Sequence, residues 1–387
     1  MITKERPKSI PFNLPTLLGR EAEYINDVLM GNHAAGNGRF TELAQAELRR
    51  MLGGGRILLT TSCSTALEMA AILCNVGPGD EVIMPSYTFT STANAIALRG
   101  ATPVFVDIRP DTLNIDEELI EQAVTSRTKA ITVVHYAGVG CEMDSILATA
   151  AKHNLIVVED AAQAICANWR GEPLGRQGAL SAFSFHETKN IISGEGGALV
   201  VNRDELIERA EIIWEKGTNR LRFARGEVSK YEWVDIGGSY LPSELTAAFL
   251  YAQLQNAESA IQIRMALWQR YYTAFEDLEN RRLCRRPRCP PHCGHNGHIF
   301  YLLAPTAEAR KRWLASFRAA GINAPFHYVP LHSAPAGLRF GRTAGTLDVT
   351  ESVAARLVRL PLHLSLNQEQ QDYIIEQTRG IVNGQAL

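Results

Sequence analysis

The chain has 387 residues, 46% of them hydrophobic and 21% charged, with 39 basic against 41 acidic side chains and a formal net charge of −2. That composition excludes disorder, collagen and coiled coil, and with no long basic run it excludes nucleic acid or an anionic membrane as the main partner. At roughly 150 residues per domain, the length gives two or three domains. No stretch approaches the ~18 apolar residues of a membrane span. The opening MITKERPKSIPFNLP lacks the apolar core of a signal peptide. Seven scattered cysteines read as reduced thiols of a cytoplasmic protein.

In chain order, an arm over 1–15 precedes a large domain over 16–243. Short β-branched runs alternate there with helical patterns, which predicts a mostly parallel sheet of about seven strands sandwiched by crossover helices. The predicted strands are 57–61, 81–84, 103–107, 130–134, 155–159, 179–185 and 198–201, with helical patterns at 65–74, 91–99, 116–124 and 141–153. After Ser243 the pattern changes, and 244–275 reads as one long helix leading into a smaller α+β domain that occupies the rest of 244–387. A Pro/Cys/Arg-rich loop at 285–297 is followed by a strand at 299–303, a helix at 308–320, a second strand near 322–328 and a C-terminal helix from about Asn367.

Three segments carry candidate chemistry. The segment 58–67 turns from strand into helix through hydroxyl residues; free amides and the positive dipole end at Ser64 and Thr65 make a phosphate site, with ordinary N-capping the plainer reading. Asp160 closes an apolar strand at its carboxyl end, where open α/β sheets place ligands. A carboxylate there is partly desolvated; it either caps a helix over 161–167 or faces a protonated heterocyclic nitrogen. Lys189 ends the run AFSFHETK beside the turn GEGG, a setting that depresses a lysine pKa and suits Schiff-base chemistry. Neither GxxxxGK[ST] nor GxGxxG is present, so phosphate-loop and dinucleotide cofactors lose support. A phosphate cradle, a mid-sheet Asp and a strand-end Lys together meet the needs of pyridoxal 5'-phosphate.

The stretches PSYTFTSTANAIALRGATPVFVDIRPDTLNID, VVEDAAQA, SFHETKN, GEGGA, EKGTNR and FHYVPLH resemble, over nearly the whole chain, the DegT/DnrJ/EryC1/StrS family of sugar-nucleotide aminotransferases. The resemblance implies a fold-type I pyridoxal-phosphate enzyme, homodimeric with shared active sites. It implies Lys189 as the lysine that bonds the cofactor, Asp160 as partner of the pyridine nitrogen and Gln163 facing the ring hydroxyl. Phe89 would stack on the ring, and Ser64, Thr65 and Ser184 would hold the phosphate. Many members send an Asn from the neighbouring subunit to that phosphate; Leu241 stands at the matching position here.

His186 falls in SFHETKN, where relatives acting on sugar carbon 3 tend to carry Tyr and those acting on carbon 4 tend to carry His. The resemblance therefore implies transfer of the amino group of L-glutamate to carbon 4 of dTDP-4-keto-6-deoxyglucose, with His186 reaching the sugar. A locally bonded strand-end histidine is the alternative. His327 and His332 in FHYVPLH either bind the pyrophosphate or sugar, or hold the domain junction. A carbon-3 transaminase and a non-catalytic regulator on the same fold stay as rivals. No metal is expected: the cysteines and histidines of 284–295 lack a CxxC pair and sit beside four arginines, so the segment reads as a solvent-exposed connection.

Overall fold

The computed structural model describes residues 9–384; residues 1–8 of the expected arm lie outside them. Among the described residues the strands are β1 (Arg56–Thr60), β2 (Glu81–Pro85), β3 (Thr102–Val106), β4 (Thr128–Val134), β5 (Ile156–Asp160), β6 (Asn168–Trp169), β7 (Glu172–Pro173), β8 (Leu180–Ser184), β9 (Gly197–Val201), β10 (Cys293–Gly294), β11 (Phe300–Leu303), β12 (Arg342–Thr343) and β13 (Leu357–Leu360). Eight of these form one sheet in the order β1-β9-β8-β5-β4-β2-β3-β12. It is parallel except at β9, which runs antiparallel to both β1 and β8. All seven expected strands are in it. The eighth, β12, is a two-residue piece beside β3, too short to leave a period in the sequence.

The sheet is buried on both faces, which is why its strands read as continuous apolar runs. Successive side chains serve opposite layers. Ile57 and Leu59 of β1, Val157 of β5 and Val200 of β9 pack with Phe40, Leu48 and Ala248. Leu58, Val158 and Leu199 point the other way, onto Met69, Met84 and Trp214. Burying a Leu or Val this fully contributes about 1.5–3 kcal/mol. The helix Arg39–Leu52 starts at Gly38, which offers no side-chain cap. The buried Glu244 carboxylate serves instead, accepting from the amides of Gly38, Phe40 and Thr41 at 2.7–3.0 Å.

Four expectations are corrected. The run 244–275 is two helices, Glu244–Leu254 and Ala257–Ala274; at the break the Asn256 amide donates back to the Ala252 carbonyl and competes with the helical ladder. No strand forms near 322–328: Ile322 makes only a bridge to Ile10, and β11 pairs with β13 instead. No helix follows Asp160, because the chain enters turns and Cys166 takes φ +60°. The 285–297 loop is not a solvated connection. Arg286 is buried against Glu279, and the Asn296 amide donates to the Gln163 and Ile165 carbonyls at 2.8 Å.

A separate core built on Trp268, Phe300, Trp313, Phe317, Val358 and Ile374 supports the β11–β13 pair. Ile10 inserts into it from the N-terminal segment, which is bonded to Gly321 and Asn323. That strap brings Phe12 and Asn13 over the carboxyl ends of the central strands, where they line a cavity of about 660 Å³.

Candidate active site

The floor of the cavity is made by the ends of β5 and β8. Asp160 is 5% exposed; its Oδ2 accepts from the Thr92 hydroxyl at 2.8 Å and its Oδ1 from the Ala162 amide at 3.2 Å. Burial pushes this carboxyl up, while Thr92, Ala162 and the charge of Lys189 oppose the rise. Thr92 is itself bonded to Thr88 at 2.9 Å, so a short hydroxyl chain fixes the carboxylate. Lys189 lies in the turn after β8, its amide donating to the His186 carbonyl. Lys189 lines the cavity, and its Nζ has no hydrogen-bond partner among the described residues. Burial pulls its ammonium down; Cys63 and Asp160 oppose that, and the Arg359 charge adds to it. A lysine held this way is nearer to a free amine than one on the surface.

One wall is made of helix-start amides and hydroxyls, groups able to receive an anion. The helix Cys63–Leu73 begins at the Ser62 cap, and its first amides have no intrahelical acceptor. Gly197 lets β9 run against this turn: a Cβ there would sit 2.4 Å from the Cys63 nitrogen. Ser64 faces the cavity and shares a 2.6 Å hydrogen bond with Ser91, and Ser184 lines the cavity from the end of β8. Thr65 is a correction. Its amide donates to Ser62 Oγ and its hydroxyl donates to the Ser62 carbonyl, so both groups are used in the cap. The helix starts two residues earlier than the pattern predicts, and the cradle shifts to Cys63 and Ser64.

Phe89 caps the next helix with its ring 57% exposed at the cavity edge. Gln163 lines the opposite side; its Oε1 accepts from the Ala137 amide at 2.7 Å and its Nε2 donates to Tyr328 at 2.8 Å. His186 stands at the mouth. Thr188 donates its amide to Nδ1 at 3.2 Å, which leaves the proton of the neutral ring on Nε2, 3.6 Å from Glu195.

The two small-domain histidines separate. His327 lines the cavity, its Nδ1 bonded to the Tyr136 hydroxyl at 2.7 Å and its ring stacked 3.7 Å from Tyr328. Burial holds its imidazolium well below the ordinary range. His332 does not reach the cavity. Its Nδ1 meets Ser86 at 2.7 Å and its Nε2 meets Glu351 at 3.1 Å, so the expectation of substrate contact is corrected to a junction role. Sequence reasoning missed Thr92, Tyr328, Arg264, His298 and Arg359, all of which the fold brings to this site or against it. An Arg inside the apolar run Leu-Val-Arg-Leu of β13 was a readable signal.

A desolvated carboxylate, a desolvated lysine, a helix N-terminus lined with hydroxyls and an exposed aromatic face surround one volume. This donor set fits pyridoxal 5'-phosphate: anion, ring, pyridine nitrogen and aldehyde each have a matching group. Among the described residues no cluster of three or more metal-ligating side chains occurs, and no helix is long and apolar enough to cross a membrane.

The model of the DegT/DnrJ/EryC1/StrS aminotransferase family matches residues 15–379. Spore coat polysaccharide biosynthesis protein SpsC of Bacillus subtilis (strain 168) is 32% identical over 99% of this chain and 100% of its own length. GDP-perosamine synthase of Caulobacter vibrioides is 31% identical over 93% of this chain and 95% of its own. Streptococcus pneumoniae Spr1654, solved in a PMP form, superposes with a TM-score of 0.90 at 26% identity, covering 97% of this chain and 99% of that one.

Proposed function

The chain belongs to the DegT/DnrJ/EryC1/StrS aminotransferase family and is a pyridoxal-phosphate-dependent sugar aminotransferase; from that premise we propose that it moves the amino group of L-glutamate to carbon 4 of dTDP-4-keto-6-deoxyglucose. The product is dTDP-4-amino-4,6-dideoxygalactose, for surface polysaccharide synthesis. The polysaccharide and perosamine relatives are in keeping with such a product.

When bound, the cofactor supplies an electron sink for the carbanion formed at the reacting carbon. Lys189, its ammonium pulled down by burial, would take the proton from the donor's α-carbon in the first half-reaction and deliver one to the sugar carbon in the second. Asp160 holds the pyridine proton, and Thr92 holds Asp160. The amides of Cys63 and Ser64, with the hydroxyls of Ser64 and Ser184, bind the phosphate. Phe89 covers one ring face, and Gln163 offers its second amide hydrogen to the ring hydroxyl.

The observation that carries the choice of carbon is His186, which lines the same cavity as Lys189 and is half-exposed there, its Nδ1 accepting from the Thr188 amide. His327 in the facing wall is the second polar contact for the hexose. The 4-keto sugar is expected to exceed its 3-keto isomer by at least ~100-fold in kcat/KM, about 2.7 kcal/mol in transition-state binding. Comparable or faster turnover of the 3-keto isomer would reject the assignment.

We further read the working unit as a cytoplasmic homodimer. Tyr231 and Trp233 lie exposed, Trp233 at 80%, on the segment between Thr218 and Tyr240, as covers for a neighbouring site would be. Leu241 packs half-buried beside Gly36 and offers no donor, so the partner would make no amide contact to the phosphate there. Sedimentation at micromolar concentration should give a dimer, and a fully active monomer would contradict shared sites.

A further inference from the structure

The turn that carries Lys189 is fastened to the small domain through buried amides. Asn190, 3% exposed, follows the lysine directly and donates from Nδ2 to the Asn296 carbonyl at 3.0 Å. A carbonyl only accepts, so the amide is oriented and its other end, Oδ1, faces His298 Nδ1 at 2.9 Å. Asn296, wholly buried, accepts at Oδ1 from the His298 amide at 3.1 Å and donates to the Gln163 and Ile165 carbonyls in the turn after Asp160. Gly138, at φ +76°, leaves room for it, since a Cβ there would strike Asn296 Oδ1. Arg264 donates to the His298 carbonyl at 2.6 Å. His298 is thus held by its amide, its carbonyl and its ring.

These bonds settle the tautomer. Asn190 Oδ1 only accepts, so Nδ1 of His298 carries the proton and Nε2 is left with its lone pair. His298 lines the same cavity as Lys189, and its Nε2 has no hydrogen-bond partner among the described residues. Burial and the charges of Lys189, Arg264 and Arg359 hold its imidazolium well below the ordinary range, so the ring is a fixed acceptor and not a second base. Lys189 Nζ also lacks a partner, and its flexible four-carbon stem can bring it to Nε2. We propose that His298 is a positioning residue for Lys189, its Nε2 accepting one hydrogen of the lysine amine whenever that amine is free. This rests on the aminotransferase reading above and adds to it the group that orients the base. With one N–H held, the amine's lone pair is directed away from His298 toward the reacting carbon. Once Lys189 has taken its proton, the same bond is charge-assisted and steadies the ammonium until the proton is delivered. His298 comes from the small domain but serves the floor, so both half-reactions depend on it.

The test separates the two ring nitrogens. In His298→Asn the amide nitrogen stands near Nδ1, keeping the bond to Asn190 and removing the acceptor; in His298→Gln the amide oxygen stands near Nε2, keeping the acceptor and removing that bond. Holoenzyme of each is followed in single turnover, the L-glutamate and sugar-nucleotide halves separately. His298→Asn is expected to slow both halves ~30-fold in limiting rate, with half-saturation within ~3-fold, and His298→Gln to stay within ~5-fold of the parent. A second readout needs no turnover. In enzyme labelled with ¹⁵N-histidine, the His298 signals, identified by their absence from either variant, should show a protonated Nδ1 and an unprotonated Nε2. The Nε2 signal should shift when holoenzyme is converted to the amine-loaded form, which frees the lysine. The proposal is overturned by a His298→Gln no better than His298→Asn, by a protonated Nε2, or by an Nε2 signal alike in both forms. A loss confined to the sugar half overturns it too, and puts a sugar hydroxyl on Nε2. If neither variant folds, the labelled parent decides: a histidine of this tautomer must shift at Nε2 on conversion. A parent that accepts a different donor or sugar removes that substrate from the reading above, and the order of the two variants must then hold with the substrates it accepts.

Discussion

The floor and the facing wall of the cavity are built by different rules. The floor is local: Asp160 ends β5, Lys189 follows β8, and the hydroxyl turn follows β1, each placed by a strand that stops where the sheet stops. The wall is assembled from Phe12, Tyr136, His327, Tyr328 and Arg359, which come from the strap, the large domain and two separate parts of the small domain. On the proposed reading this is a division of labour: the groups assigned to every turnover sit at the ends of sheet strands, and the groups assigned to telling donor from acceptor come from segments far apart in the chain.

Substitutions on the floor should therefore impair both half-reactions alike, and substitutions on the wall should separate them. The largest effect is expected from Lys189→Ala: turnover should fall by at least ~10⁴-fold in both halves, while Tm stays within about 2 °C because the side chain contributes little packing. More than trace transamination would break the assignment of the floor.

Asp160→Asn should retain the cofactor and slow both halves by ~10²–10³-fold, since a neutral pyridine is a poorer sink. Its stability effect runs the other way. Burial raises this carboxyl above its ordinary 3.8, so the folded chain binds the proton more tightly than the unfolded chain. The stability this confers is present at low pH and lost as pH rises through the folded value. Cofactor-free Asp160→Asn should accordingly melt about 2 °C above the parent at pH 7, with the gap closing toward pH 4. An unchanged rate would assign Asp160 to holding the Ala162 turn alone.

On the wall, His327→Asn should weaken the sugar-nucleotide half-reaction about 10-fold in KM and leave the glutamate half within ~2-fold. Equal losses would place His327 with the floor. The smallest catalytic effect is expected from His332→Ala. It leaves Ser86 without its 2.7 Å partner and should cost about 1–2 kcal/mol of stability, with kcat changed by less than ~2-fold. A kinetic loss without a melting change would return His332 to the substrate site.

The same division decides what was legible in the sequence. All seven strands and the Asp160–Lys189 pair could be read because strand ends, apolar runs and a glycine-rich turn are contiguous signals. Thr65 was misplaced by a helix start only two residues early, enough to turn its hydroxyl from the cavity to Ser62. His327 and His332 lie five residues apart in one motif, and nothing local tells them apart. Only Tyr136 and Ser86, each almost 200 residues or more away in sequence, do so. The strand near 322–328 failed for the same reason, since its backbone partner comes from the N-terminal strap, and the long helix failed at a single Asn side chain.

The most direct test is to follow nitrogen itself. Holoenzyme is incubated with ¹⁵N-labelled L-glutamate and dTDP-4-keto-6-deoxyglucose, and the product is read by NMR. The expected result is ¹⁵N bonded to carbon 4 of a dTDP-linked dideoxyhexose, reduced to no more than a trace with Lys189→Ala. Nitrogen at carbon 3, or no incorporation by an enzyme that has bound its cofactor, would contradict it.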